Sequence, residues 1–194
     1  MEVALNTSHL KAAAIFAAQA DLRYYLNGVL IEVRADETRM AATDGHVAAV
    51  LRDQVLVGEQ PVFPDVIIPN VTLKLALQTK AEIVELAVTD AGKWSLGGIA
   101  FTPVEGRFPD YRRIMVDGAS GVAGDYNIDL LAKFVKAAKA LGSRGQPVVR
   151  QNGLDGAQVQ ILGRTDEFVG VIMPMRMFSE KNPDPGVSTW GGQR

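Results

Sequence analysis

The chain repeats itself in kind, and this constrains its fold more than any single motif. About every sixty residues a short extended segment runs into a helical one and then into two or three strand-like runs, as expected of a chain built from copies of one supersecondary unit. The first copy begins with EVAL at residues 2–5. It enters the Ala-rich TSHLKAAAIFAAQA at 7–20, with Ser8 as the expected N-cap. Strand patterns follow at YYLNGVLIEVR (24–34), TRMAAT (38–43) and VAAVLR (47–52), divided by turn signals at Asp36-Glu37 and Asp44-Gly45.

The second copy starts at DVIIPN (65–70), where Asn70 is placed to cap a helix over VTLKLALQTK (71–80). It continues through EIVELAVT (82–89), a turn at Asp90-Ala91-Gly92, KWSLGG (93–98) and IAFTPV (99–104). The third starts at GDYNI (124–128), and its helix over DLLAKFVKAAKAL (129–141) stops at Gly142. QPVVRQN (146–152), a turn at Asp155-Gly156, AQVQILG (157–163) and FVGVIMPMRM (168–177) complete it. Three βαβββ units of an α+β fold therefore account for most of the chain.

On a wheel of about 100° per residue, the third helix puts Ile128, Leu131, Phe134, Val135, Ala138 and Leu141 on one side. Lys133 and Lys136 lie opposite, with Lys139 at the border. The basic side is either an ordinary solvated face or, with Lys11, Lys74 and Lys80 of the other helices, part of one shared basic surface.

With 47% hydrophobic and 22% charged residues, the chain has an ordinary globular composition. It has no cysteine, which excludes a disulfide scaffold, a thiolate zinc site and a cysteine nucleophile, and only two histidines, His9 and His46. A net charge of −2 gives no overall attraction for nucleic acid or an anionic membrane. The N-terminus carries an early acid and no long apolar run, so neither a signal peptide nor a membrane span is expected, and the cytosol is the expected compartment. After Met177 the sequence FSEKNPDPGVSTWGGQR has the composition of a flexible tail, with Trp190 as a potential docking anchor.

No Gly-rich phosphate loop, HExxH, GxSxG or paired-carboxylate motif is present, and LGGIA (96–100) has the wrong spacing for a nucleotide loop. No cofactor or metal site is expected. The stretch MAATDGHVAAV (40–50) is the one ambiguous feature. Asp44 and His46 suggest a hydrolytic acid-base pair, but an Asp-Gly turn needs only a residue tolerant of positive φ, and neighbours on a hairpin rarely converge on one substrate atom. The turn reading is preferred.

Four stretches occur in order: RYYLNGVLIEV (23–33), AATDGH (41–46), VEGRFPDYRR (104–113) and VIMPMRM (171–177). Together they resemble the bacterial DNA polymerase III beta subunit, the sliding clamp family. The resemblance implies a DNA-clamp fold of βαβββ units, two per domain, with sheets outside and helices lining a hole for duplex DNA. Family chains have three domains and two chains close the ring. Residues 1–118 resemble the second domain and 119–178 the second half of the third, with 179–194 as a tail; the remaining clamp segments have no counterpart.

The resemblance also implies a pocket that binds short motifs of DNA polymerases, the clamp loader and repair proteins. Its residues would be Leu26, Thr43, Gly45, His46, Val47, Ala48, Pro109, Arg113 and Ile114. They would be joined by Val171, Ile172, Met173, Pro174, Met175, Arg176 and Met177. Methionines suit such a pocket because they are polarizable and adaptable. The family usually has Arg-Leu after TDGH, where Val47-Ala48 stand here, so altered partners are expected. The tail could fold back over the pocket, with Trp190 or Phe178 as plug. Arg23, Tyr24 and Tyr25 match a loop that can contact DNA, through phosphate and base stacking. The same tyrosines could instead pack with the core. The helix lysines Lys11, Lys74, Lys80, Lys133, Lys136 and Lys139 would line the hole. Three units cannot close a family-sized ring, whereas four chains would supply twelve, so a homo-oligomer is expected. The rival expectation is a ringless decoy or adaptor that captures clamp partners.

Overall fold

The structure, a computed structural model, describes residues 1–54, 64–116, 118–176 and 186. The first repeat comprises β1 (Glu2–Asn6), α1 (Thr7–Ala14), β2 (Gly28–Val33), β3 (Glu37–Thr43) and β4 (Val47–Gln54). The second comprises β5 (Val66–Pro69), α2 (Asn70–Ala76), β6 (Ile83–Val88), β7 (Trp94–Leu96) and β8 (Ile99–Phe101). The third comprises α3 (Ile128–Ala140), β9 (Pro147–Arg150), β10 (Ala157–Ile161) and β11 (Phe168–Ile172).

The first two repeats exchange their leading strands. β1 pairs antiparallel with β6, and β5 pairs antiparallel with β2, so each repeat completes the other's sheet. The result is a four-stranded sheet ordered β1-β6-β7-β8 and a larger one ordered β5-β2-β3-β4-β11-β10-β9. The third repeat enters the larger sheet through β11, which pairs antiparallel with β4 from Phe168↔Leu51 to Ile172↔Val47.

Alternation along the strands sends one set of side chains beneath the helices and the other to the outer face. The helix-side core joins Leu10, Ala12 and Ala13 of α1, Leu73 and Ala76 of α2, and Phe134, Ala137 and Ala138 of α3 to Met40, Ala42, Ala49, Leu51 and Ile172 of the sheet. At its centre three aromatic rings tie the first repeat to the third: Phe16 lies 4.8 Å from Phe134 and 6.1 Å from Phe168. A smaller outer cluster packs Leu30, Ala41, Val50 and Ile67 beneath Phe108 and Tyr111.

Several local expectations need correction. The side chain of Asn6, not Ser8, caps α1, accepting from the N–H groups of Ser8 and His9. That helix ends at Ala14 rather than Ala20, because Phe16 enters the aromatic cluster and the Ala18 peptide is captured by the Leu26 carbonyl and the Asn70 side chain. Asn70 is thus the first residue of α2 and not its cap, a place taken by Pro69. Residues 24–26 form a 3-10 turn ahead of β2. On α3 the buried stripe is Phe134, Ala137 and Ala138; Ile128 and Val135 are exposed, since α3 is packed by α1 as well as by the sheet. GDYNI forms no strand: residues 118–127 run as coil into the helix, with Asn127 capping it.

Candidate functional site

The Asp44-Gly45 turn is built locally. Gly45 has φ +92, the left-handed region that glycine favours. Asp44 Oδ1 accepts the N–H groups of His46 and Val47 at 2.9 and 3.0 Å, and the Thr43 hydroxyl donates to the Val47 carbonyl at 2.7 Å. The second carboxylate oxygen of Asp44 takes an ion pair from Lys133 Nζ of α3 at 2.6 Å. Burial pushes the Asp44 carboxyl up, but Lys133 and the two backbone N–H groups outweigh it and hold the group below its ordinary value. Asp44 is therefore committed to shaping the turn and docking α3, which removes it as a partner for His46 in acid-base chemistry.

The β4–β11 pairing brings this turn to the end of the third repeat. Met173 N–H donates to the His46 carbonyl at 2.9 Å, immediately beyond the Val47↔Ile172 pair. Thr43, Ala48 and Val171 stand in one cross-strand row on the outer face, next to the row of Ala41, Val50 and Val169. The methyl-bearing end of Val171 and the sulfur of Met173 both flank Gly156, where an added Cβ would lie 3.2 and 3.3 Å from them. Met173 is 40% exposed, Gly45, His46 and Arg176 are exposed, and Pro174 and Met175 are half-buried.

Val47 and Ile172 are a correction to the expected pocket. Both side chains enter the helix-side core, so they offer the outer face only backbone. Met177, Phe178 and Trp190 lie outside the described residues.

Leu26 is buried in its 3-10 turn. Beside it, Arg23 donates to the Asp44 carbonyl at 3.3 Å and pairs with Asp21 at 2.8 Å. Hydrogen bonding from Arg23 lowers the Asp21 carboxyl to about 2. Pro109, Arg113 and Ile114 belong to the connector that crosses the outer face. The neighbouring Tyr111 and Arg112 anchor that connector on the buried carboxylate of Glu32, with Arg112 Nη2 2.9 Å from Glu32 Oε2 and the Tyr111 hydroxyl donating to the same oxygen. Burial first, then this hydrogen bond, pushes the Tyr111 hydroxyl up to about 12. Sequence reasoning missed Glu32. A lone charged residue in the apolar run GVLIEV was the available signal, since such a residue is rarely buried without partners.

Of the basic residues, Lys74, Lys80, Lys136 and Lys139 are exposed. Lys11 donates to the Thr79 carbonyl, and Lys133 is diverted to Asp44. Tyr24 is exposed, while Tyr25 packs against the outer cluster, as its core alternative required. A separate cleft of about 750 Å³ is lined in part by His9, Arg52, Asp53, Arg164 and Glu167. There the buried His9 Nδ1 lies 2.6 Å from Asp53, a contact off the ring N–H axis, and Nε2 lies 3.2 Å from Glu167. Among the described residues no group of three or more His, Cys, Asp or Glu is arranged to hold a metal ion, and no helix is long and apolar enough to cross a membrane.

Repeated antiparallel sheets with helices on one face, joined at strand edges, define a DNA-clamp fold. The family model described as DNA polymerase III beta subunit, central domain, matches residues 4–110. The chain belongs to the DNA polymerase III beta subunit family. The beta sliding clamp of Proteus mirabilis is 33% identical over 159 residues, covering 77% of this chain and 42% of the relative. That of Escherichia coli K12 is 34% identical over 121 residues, covering 55% and 30%. Two solved structures have the same fold over 91% of this chain. The DNA polymerase III beta subunit of Thermotoga maritima has a TM-score of 0.73 at 14% identity, with 65% of that chain covered. The subunit of Pseudomonas aeruginosa has 0.71 at 19%, with 66% covered. The chain thus spans less than half the length of these curated relatives.

Proposed function

We propose that this chain is a partial sliding clamp of DNA replication, a non-catalytic cytoplasmic protein that binds linear motifs of DNA polymerase and clamp-loader subunits on its outer face. The observation that carries this reading is the β4–β11 pairing, which sets the Thr43–His46 turn beside Met173 at the joint of two repeats. Met173, exposed beside the buried Val171 and Ala48, offers adaptable apolar contact, with Arg113 available for an acidic or carbonyl group of the motif. With Val47 turned into the helix-side core and Ala48 standing where the family has a leucine, this turn presents smaller side chains than the family pattern, which favours altered motifs. The exposed Lys74, Lys80, Lys136 and Lys139, together with Tyr24, support weak contact with duplex DNA through phosphate, the kind that permits sliding. The assembly around DNA would be a homo-oligomer.

The test is titration of a fluorescent peptide carrying the clamp-binding motif of a DNA polymerase III subunit. The native chain is expected to bind. Met173→Ala should weaken binding about tenfold, the effect of losing a contact worth about 1.4 kcal/mol. Absence of binding to the native chain, or equal affinity for the variant, would sink the proposal.

A further inference from the structure

We propose that two copies of this chain join by reciprocal strand exchange between their third repeats, each copy laying residues 124–127 along the other's β9 edge. This deepens the assembly part of the proposed function and rests on it. A failed exchange would leave peptide binding untouched, and a failed peptide titration would leave the exchange standing.

The first two repeats supply the pattern. The strand leading into α1 pairs with the first strand after α2, and the strand leading into α2 pairs with the first strand after α1. Each helix nevertheless stays on its own repeat's sheet, α1 against β2, β3 and β4. The exchange is a local twofold relation between two copies of one unit.

The third repeat has both halves of that joint, and among the described residues neither is paired as a strand with the other. Among the described residues β9 pairs with β10 alone, which leaves its outer edge as a row of open backbone groups. The segment leading into α3 is coil, although it matches the other leading segments in position and, like Asn6 before α1, ends in an Asn whose side chain caps the helix. Gly121 N–H donates to the Gln151 carbonyl and Gly153 N–H to the Val122 carbonyl at the far end of β9, Gly124 N–H donates to the Gln151 side chain, and the Asp125 carbonyl accepts from Met175 N–H. The Tyr126 hydroxyl is buried with no hydrogen-bond partner, and Val122 is 60% exposed. A true twofold axis between copies would do for the third repeats what the internal relation does for the first two. A dimer would hold six repeats, and two dimers twelve.

The internal register fixes the expected one. Asn6, the cap of α1, is opposite Ile83, the first residue of β6. By the same alignment Asn127 faces the partner's Pro147, Tyr126 faces Val148 and Asp125 faces Val149. Residues directly opposite across antiparallel strands have Cα atoms about 4.5–5.5 Å apart, within disulfide reach.

The chain has no cysteine, so a single introduced pair can be read without background. Asp125→Cys and Val149→Cys are made as separate, differently tagged variants, checked by circular dichroism, mixed and oxidised. The expected result is a disulfide between the two tags, together with a two-chain or four-chain mass for the native chain by sedimentation. A monomeric mass at every concentration, or a dimer of folded variants in which the tags never link, overturns the proposal.

Discussion

The two joints that hold this molecule together are made differently. Between the first and second repeats, strands are exchanged in both directions, so neither sheet is complete without the other repeat. Between the first and third, a single pair of strands, β4 and β11, meets edge to edge, and side chains add the rest: the Phe16–Phe134–Phe168 cluster, the Asp44–Lys133 ion pair and the His9 bridge. An exchanged joint opens only if two strands leave together. A joint of one strand pair can open while each side keeps its own sheet, and its strength is set by a few identifiable residues. The outer face that meets the proposed motifs lies across this second joint.

Phe134→Ala is the largest expected break. Phe134 is fully buried, touches both Phe16 and Phe168, and closes over Gly170, where even one added Cβ would strike its ring. Truncating such a ring costs about 3–5 kcal/mol. Hydrogen exchange separates the joints: β9–β11 amides should lose protection while β2 and β6 keep theirs. Equal loss across the molecule would mean that the two joints open as one unit.

Asp44→Ala comes next. It removes the Lys133 ion pair and two hydrogen bonds to backbone N–H groups, about 1–2 kcal/mol for groups this far from bulk water. Thermal unfolding should show that loss, and Lys133→Met should reproduce only the part owed to the ion pair. A variant as stable as the native chain would mean the turn is held by Gly45 and Thr43 alone.

What could be read from the sequence divides along the same line. Most of the strand runs, the Asp44-Gly45 turn and the third helix with its stop at Gly142 follow from local periodicity and turn chemistry, and they stand in the structure, residues 24–26 and GDYNI excepted. The exchange of leading strands is non-local, yet recurrence of the unit hinted at a shared architecture. The second joint left little local trace. Lys133 reads on a helical wheel as one more solvated lysine, and only the fold brings it to a carboxylate 89 positions away. Ile128 and Val135 look like core residues because a wheel assumes one packing partner, whereas α3 has two. The resemblance places both Val47 and Ile172 in the pocket because a motif lists consecutive residues, while a strand sends alternate ones to opposite sides.

His9 is expected to give the smallest effect and the most specific one. It is buried on α1 between Asp53 of β4 and Glu167 at the start of β11, so it spans the joint itself. Arg52, Asp166, Lys80 and Glu82 also line this cleft, Lys11 does so from α1, and Arg164 pairs with Glu167. Burial pulls the imidazole down, but Asp53 and then Glu167 outweigh it, and the group is raised above its ordinary 6.5. A raised value in the folded state means that the bridge contributes fully below pH 6.5 and is lost as pH rises through the folded value. Deprotonation also leaves two carboxylates facing each other across the joint. Protection of the β10 and β11 amides, normalised to that of β6, should therefore decline as pH is raised from acid toward mildly alkaline conditions. His9→Gln should flatten that dependence without altering the β1–β6 pairing. Identical pH profiles for the native chain and the variant would assign His9 to packing alone, and the sensitivity of the joint would then rest on the aromatic cluster and Asp44.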